Sequence, residues 1–390
     1  MSVLVVQHGS RHRYAIPRIL WEAGMLAALY TDSCRYSVAG RGASLLRRLF
    51  PWIPAEVKRL HERLIPEIPK AKIFTTDRAT LAQLSGCKSA SLAPTFINWG
   101  TQGADVVYSM YGEDLDFLQY AKSRGLKVVA DIFTHPLTNR TWREEAERFP
   151  EAGYRFHPEV EARQNRHSLR LFELADILLC PSSWVANGCR EMAPEYTNKI
   201  QICSYGNSIQ LDSAPVSRVP GRMLFVGRDA LGKGLHYLAQ ASSIVRRTLP
   251  ETEFRIAGLR ARDCSWVPQG QNLNFVGAVP MALMNKEFLS ASVFVLPSLT
   301  EGQAGVILEA MAHGCPVIAT RESGVDLSPD AGLIVPARDP QALAEAIIDV
   351  LANPELHARL CAGALRQAKN YSLEAWKQRL INVVLECKKL

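Results

Sequence analysis

The sequence predicts an α/β protein of two doubly wound, parallel-sheet domains, each Rossmann-like and facing the other across a cleft. Three observations predict it. Short apolar runs alternate with stretches of helical period along nearly the whole chain. Strands buried on both faces and separated by helices form parallel sheets. The chain has 390 residues, too many for one ordinary core and suited to two domains of roughly 150–200 residues. A turn-rich stretch with Pro215 and Pro220 lies near 205–221, between two series of strands.

In the first series the strands are SVLVVQHG (2–9), AALYTD (27–32), DVVYSM (105–110), KVVADIF (127–133), DILLCPS (176–182) and KIQICSYG (199–206). In the second they are RMLFVG (222–227), EFRIAG (253–258), NLNFVG (272–277), VFVLPS (293–298), PVIAT (316–320) and GLIVP (332–336). Two such series make two doubly wound domains. The expected division is 1–205 for the N-terminal domain and 206–370 for the C-terminal one. The helical tail 371–390 either packs on the second domain or crosses back to the first.

Bulk composition narrows the function. An apolar fraction of 47% and a mean hydropathy of −0.04 describe a soluble globular protein. No run approaches the roughly 20 apolar residues of a spanning helix. The start, MSVLVVQHGS, reads as a buried strand rather than a signal peptide. Nine scattered cysteines without a C-x-x-C suit a reducing cytoplasm, with no disulfide framework and no zinc site.

The net charge of +7 is uneven: residues 1–100 hold 14 Lys and Arg against 6 Asp and Glu. An anionic partner is expected there. Nucleic acid is disfavoured, because no recognition helix or aromatic–basic motif is present. The stretch 41–72 carries eight basic and three acidic residues beside Leu49, Phe50, Trp52 and Ile53. It reads as an interfacial element for an anionic membrane surface, or as a surface helix packed on its own domain with solvated charges.

The chemistry concentrates in the second half. GRDALGKG, Gly227 to Gly234, nearly matches a Walker A loop, but Gly234 replaces the hydroxyl that would ligate magnesium. A P-loop ATPase is therefore disfavoured. The local physics remains: a strand ends, glycines let backbone approach a ligand, and a helix begins. Arg228 and Lys233 add two cations suited to a diphosphate. Downstream, EGQAGVILEAM places Glu301 at a strand's C-terminal end and Glu309 two helical turns on. Such strand ends face the ligand crevice of open α/β sheets. The amides of Gln303, Ala304, Gly305 and Val306 open the helix. Cations for a diphosphate and carboxylates for hydroxyls are what a nucleotide-sugar needs.

FVGRDALGKG, RIAG, NFVGAVP, VLPSLTEGQAGVILEAMAHGCPVIAT and DAGLIVPARDPQALAEAI together resemble the nucleotide-sugar domain of the retaining GT-B glycosyltransferases of the "glycosyl transferases group 1" (family 4-like) type. The match is good over about 170–390 and general over 1–120. It implies a GT-B fold and a hexosyltransferase moving sugar from a UDP- or GDP-sugar to an acceptor hydroxyl in glycan, polysaccharide or glycolipid synthesis. The acceptor would be a sugar or a lipid-linked molecule. It implies no cofactor and no catalytic metal. Arg228 and Lys233 would neutralise the donor diphosphate, Glu309 hold the ribose and Glu301 the transferred sugar. Gly227 and the amides of Gln303 to Val306 would line the donor. His135 would face the donor sugar from the N-terminal domain.

Two departures stand out. The family often has Phe-Gly where this chain has Gln303-Ala304, and its first loop is often glycine-rich where HGSRHRYAIP has only Gly9. Gly9 and Arg11, with His12 and Arg13, are expected at a diphosphate or an anionic acceptor, or form a solvated basic turn. Asp131 is a packing or acceptor-side carboxylate. Asp114 and Asp116 form a D-x-D that opens a helix, where carboxylates suit the N-terminus, rather than a metal site. The competing readings are an inactive nucleotide-sugar-binding module and a GT-B epimerase.

Overall fold

The computed structural model describes residues 1–50, 52, 55–78, 91–112, 114–209, 218–268 and 270–387. The first sheet has seven strands: β1 (Val3–Val6), β2 (Leu26–Thr31), β3 (Ile73–Thr75), β4 (Val106–Met110), β5 (Lys127–Asp131), β6 (Ile177–Cys180) and β7 (Ile200–Ile202). The second has six: β8 (Arg222–Val226), β9 (Glu253–Ala257), β10 (Asn274–Gly277), β11 (Val293–Leu296), β12 (Val317–Thr320) and β13 (Gly332–Val335). Their orders are β3-β2-β1-β4-β5-β6-β7 and β10-β9-β8-β11-β12-β13. Every pairing is parallel, with Val3 opposite Val106 and Arg222 opposite Glu253. Both sheets reverse direction once, between β1 and β4 and between β8 and β11. Ligands of doubly wound sheets bind outside the strand ends at such reversals.

Central strands read as continuous apolar runs because helices cover both faces. Val3–Val6 and Val293–Leu296 are buried throughout. Local signals set the helices. Those at Pro340–Ala352 and Pro354–Ala368 open on a proline, behind Asp339 and Asn353, whose side chains accept from the amides of Ala342 and Leu356.

The C-terminal helix packs on the first domain, and the joining segment runs against the start of that helix. Trp376, Leu380 and Val384 of the helix Leu373–Cys387 share a core with Val3, Tyr14, Val106 and Ile177. Burying each such side chain contributes about 1.5–3 kcal/mol relative to exposure. Asn207 forms an isolated parallel bridge with Ser372. Gly206 is packed so closely that a Cβ would lie 2.4 Å from the Ser372 carbonyl oxygen. The chain thus passes between the domains at two adjacent places. The expected boundary at 205–221 falls partly on 210–217, outside the described residues.

β3 was not foreseen: it is a three-residue, half-exposed edge strand. Asp114 does open the helix Leu115–Ser123, but it makes no side-chain cap bond. Its carboxylate accepts instead from the Leu92 amide at 3.2 Å and meets His8 Nε2 at 2.9 Å, while Asp116 is exposed.

Candidate active site

The loop after β8 is fixed by glycine contacts. Gly227 donates to the Ala257 carbonyl at 2.9 Å, and a Cβ there would sit 2.5 Å from Lys233 Cδ, so Lys233 folds back over it. Gly234 has φ +67°, and a Cβ would lie 2.0 Å from the Pro297 carbonyl oxygen. The residue that breaks the Walker pattern is therefore the one that lets this loop meet the end of β11. The helix Leu235–Thr248 follows at once.

Lys233 pairs with Glu301, which also accepts from Ser298 Oγ at 3.3 Å. Arg228, at the start of the same loop, is exposed and makes no ion pair with a described residue. Burial raises the carboxyl of Asp229 above its usual range, against the Gly232 amide and Lys233. Glu309, in the helix Gly305–Ala312, is also pushed up by burial, with Arg13 of the other domain opposing. Its half-buried carboxylate has no hydrogen-bond partner among the described residues. The same is true of the amides of Gly305 and Val306. Such groups at a helix start favour negative oxygen.

The amides of Ala304 and Gly9 and the side chain of Gln303 are engaged elsewhere. The Ala304 amide donates to the Ser323 carbonyl at 2.9 Å. Gln303 Oε1 accepts from the Tyr205 amide at 2.7 Å, so this side chain joins the domains rather than presenting itself to a sugar. The Gly9 amide is bonded to Asp32 Oδ1 at 2.8 Å. Arg63 holds Asp32 from the other side at 2.9 Å.

His135 differs most from expectation. Its ring stacks on Trp184 at 4.4 Å and lies against Gly188, where a Cβ would be 2.3 Å from Nε2. Nδ1 accepts from the Leu137 amide at 3.3 Å. Burial lowers its pKa to about 4, so the imidazole is neutral near pH 7. It is held inside the N-terminal domain, at the wall of a cavity of about 380 Å³ shared with Tyr111, Phe133, Thr138, Asn139 and Gln164.

Phe133 stands at the cleft instead, with the Arg11 guanidinium 3.5 Å over its ring. Asp131 below it is a packing carboxylate: the phenols of Tyr108 and Tyr205 each donate to it at 2.5 Å. Burial raises its pKa to about 6, partly offset by those bonds and by Arg11.

The domains meet around Thr300–Gln303. Thr138 and Thr300 share a hydroxyl hydrogen bond at 2.9 Å, and Ser182 Oγ donates to the Gly302 carbonyl at 2.6 Å. A second contact, unforeseen, centres on Glu145 of the helix Thr138–Arg148. It receives bonds from His236 Nε2 (2.9 Å), Tyr237 Oη (2.5 Å) and Arg338 Nε (2.7 Å), all in the C-terminal half. Tyr154 donates to Asp229 at 3.3 Å, and Trp142 closes over Gly232. A segment of the first half therefore covers the glycine loop of the second. Among the described residues, no group of three His, Cys, Asp or Glu is placed to hold a metal ion.

Residues 220–353 match the family model described as glycosyl transferases group 1. A phosphatidyl-myo-inositol mannosyltransferase of Mycolicibacterium smegmatis is 29% identical over 208 residues, covering 51% of this chain and 53% of that protein. A D-inositol 3-phosphate glycosyltransferase of Corynebacterium urealyticum is 29% identical over 175 residues, 41% of each chain. The chain thus spans about half the length of the curated relatives it matches, or less. Anabaena HepE in complex with UDP superposes with a TM-score of 0.66 at 14% identity, covering 99% of this chain and 100% of that one. Sucrose-phosphate synthase from Thermosynechococcus elongatus gives 0.68 at 16%, covering 99% and 98%. These structures share the fold. Residues 220–353 are thus similar to the group 1 glycosyl transferases, and the chain's two parallel-sheet domains form a GT-B fold.

Proposed function

We propose that the protein transfers a hexose-type sugar from a UDP- or GDP-sugar to an acceptor hydroxyl, with retention of anomeric configuration. The observation that carries this reading is the convergence of Lys233, Arg228, Glu301 and the free amides of Gly305 and Val306 at the second sheet's reversal point. In this reading Arg228 and Lys233 take the diphosphate, on which negative charge grows as the glycosidic bond breaks. Glu309 accepts the ribose hydroxyls and Glu301 those of the sugar. The departing phosphate oxygen takes the acceptor's proton. These cations do the neutralising work, so the reading invokes no resident metal.

The acceptor enters from the N-terminal side, through the cavity lined by Tyr111, Phe133 and Gln164. We infer a lipid-linked or phosphorylated acceptor, consistent with relatives whose names include phosphatidylinositol and inositol 3-phosphate. We also infer that the protein docks on an anionic membrane at its cytoplasmic face. No helix among the described residues is long and apolar enough to cross a membrane. The helix Val38–Leu49 and the residues after it expose Leu49 (62%), Phe50 (55%) and Trp52 (93%) beside Arg47 and Arg48.

The test is a thermal-shift screen against UDP, GDP, ADP and their sugar conjugates, followed by a transfer assay with the stabilising donor. A ligand that binds only the folded state raises its apparent stability. A shift with one nucleotide, and product formation with an added acceptor, is expected. No shift from folded protein at millimolar ligand would overturn the donor site. Binding without turnover over a panel of acceptors would favour the inactive module.

A further inference from the structure

The helix Val38–Leu49 presents Arg41, Ser44, Leu45 and Arg48 at i, i+3, i+4 and i+7, which places them on one face. That face looks onto Arg35, Tyr36 and Lys70, and together they enclose a cavity of about 530 Å³ open to solvent. The geometry is fixed locally. Ser37 Oγ accepts from the Gly40 amide at 3.2 Å and so starts the helix. Gly40 lets it approach the preceding turn, since a Cβ there would lie 1.9 Å from the Cys34 carbonyl oxygen. His61 Nδ1 meets Ser44 Oγ at 3.0 Å from the neighbouring helix Ala55–Glu62.

Four cations thus surround one cavity, and none makes an ion pair with a described residue. Other arginines nearby are matched: Arg63 with Asp32, and Arg18 with Glu67. Like charges around a shared space repel, and an anion that bridges them relieves the repulsion. Guanidinium forks fit phosphate oxygens in particular. The rim is apolar on one side: Leu45 lines the cavity and is 58% exposed, and Leu49 lies one turn along on the same flank. An anion carried by an alkyl chain satisfies both surfaces, whereas a free anion satisfies only one. The pocket sits at the C-terminal end of β2. It connects to the cleft through Asp32, which Arg63 holds and which holds the Gly9 loop.

We propose that Arg35, Arg41, Arg48 and Lys70 form a discrete site for the phosphomonoester headgroup of an anionic lipid, whose chains lie along Leu45 and Leu49. This rests on the membrane reading above and sharpens it from diffuse attraction to a specific headgroup site.

The test is co-sedimentation of the full chain with phosphatidylcholine vesicles carrying either phosphatidic acid or phosphatidylserine, matched in surface charge. The expected result is about tenfold tighter binding to the phosphatidic acid vesicles, the scale of one charge-assisted hydrogen bond. Arg41→Gln and Lys70→Gln, each with unchanged thermal stability, bring the two vesicles to parity. Arg47→Gln removes the same charge from the same helix outside the pocket. It lowers both bindings and leaves their ratio. Equal wild-type binding to both vesicles, or the same ratio in Arg41→Gln as in Arg47→Gln, would overturn the pocket and leave the membrane reading standing. Binding to neither vesicle would overturn both. In that case a thermal shift by inorganic phosphate that Arg41→Gln abolishes would reassign the cavity to a soluble phosphoester, against the lipid proposed here.

Discussion

The carbonyl oxygen of Phe133 stands 1.8 Å from where a Cβ on Gly302 would have to be. One domain's strand end therefore dictates the residue beside Glu301 in the other. Gly302→Ala must push backbone against backbone, and overpacking of this kind costs about 1–3 kcal/mol. Urea unfolding of the variant is expected to show that loss, with transfer activity falling further than stability. Wild-type values for both would mean that the domains separate here in solution.

Lys233→Ala and Glu309→Ala should each weaken binding of the donor nucleotide about 10- to 100-fold, the range for one lost charge-assisted hydrogen bond. Isothermal titration calorimetry with the nucleotide found by thermal shift reads this directly. Undiminished affinity in both variants would mean that the nucleotide sits elsewhere.

His135 is not expected to titrate during turnover. Its pKa of about 4 lies below the working range, and Trp184 and Gly188 hold its ring. The rate–pH profile should show no limb between about pH 5.5 and 7.5 that His135→Asn removes. Such a limb, if found, would return this residue to the reacting centre.

Glu145 carries an acid-side stability term. Burial alone would raise its carboxyl, but the bonds from His236, Tyr237 and Arg338 outweigh that and hold it at about 2, against an ordinary 4.5. A depressed carboxylate stabilises the fold above its unfolded pKa, and this stabilisation is lost as protons bind. It is therefore full above about pH 4.5 and declines from there toward pH 2. Melting temperatures across this window should fall more steeply for wild type than for Glu145→Gln. Parallel curves would show that the contact between the halves is open in solution.

Leu49→Ser/Phe50→Ser should reduce sedimentation with anionic vesicles while leaving nucleotide binding intact, because the pair is exposed and far in sequence from the donor loop. Equal sedimentation would remove the membrane role of this helix.

Sequence reading reached the fold because buried parallel strands announce themselves. Val293–Leu296 is a continuous apolar run, as are the first three residues of Val317–Thr320. Ile73–Thr75 escaped because three half-exposed residues carry no such pattern. Within the site, Lys233 and Glu301 were legible as loop residues at strand ends, and the structure brings them into contact. The orientation of His135 was not, because Gly188 and Trp184 decide it from another helix. Nor was the Glu145 cluster. Its partners His236 and Arg338 lie 91 and 193 positions away, and nothing beside Glu145 marks it as buried.

The helix Leu373–Cys387 completes the core of the first sheet, yet it follows the whole second sheet in the chain. During translation the first domain must leave the ribosome with the part of this core that Trp376, Leu380 and Val384 fill still uncovered. At about 5–20 residues per second that interval lasts on the order of ten seconds. A chaperone that shields apolar surface has its natural moment there. For the same reason, a ribosome stalled near residue 360 would release a chain whose earliest-made domain is the one left unfinished.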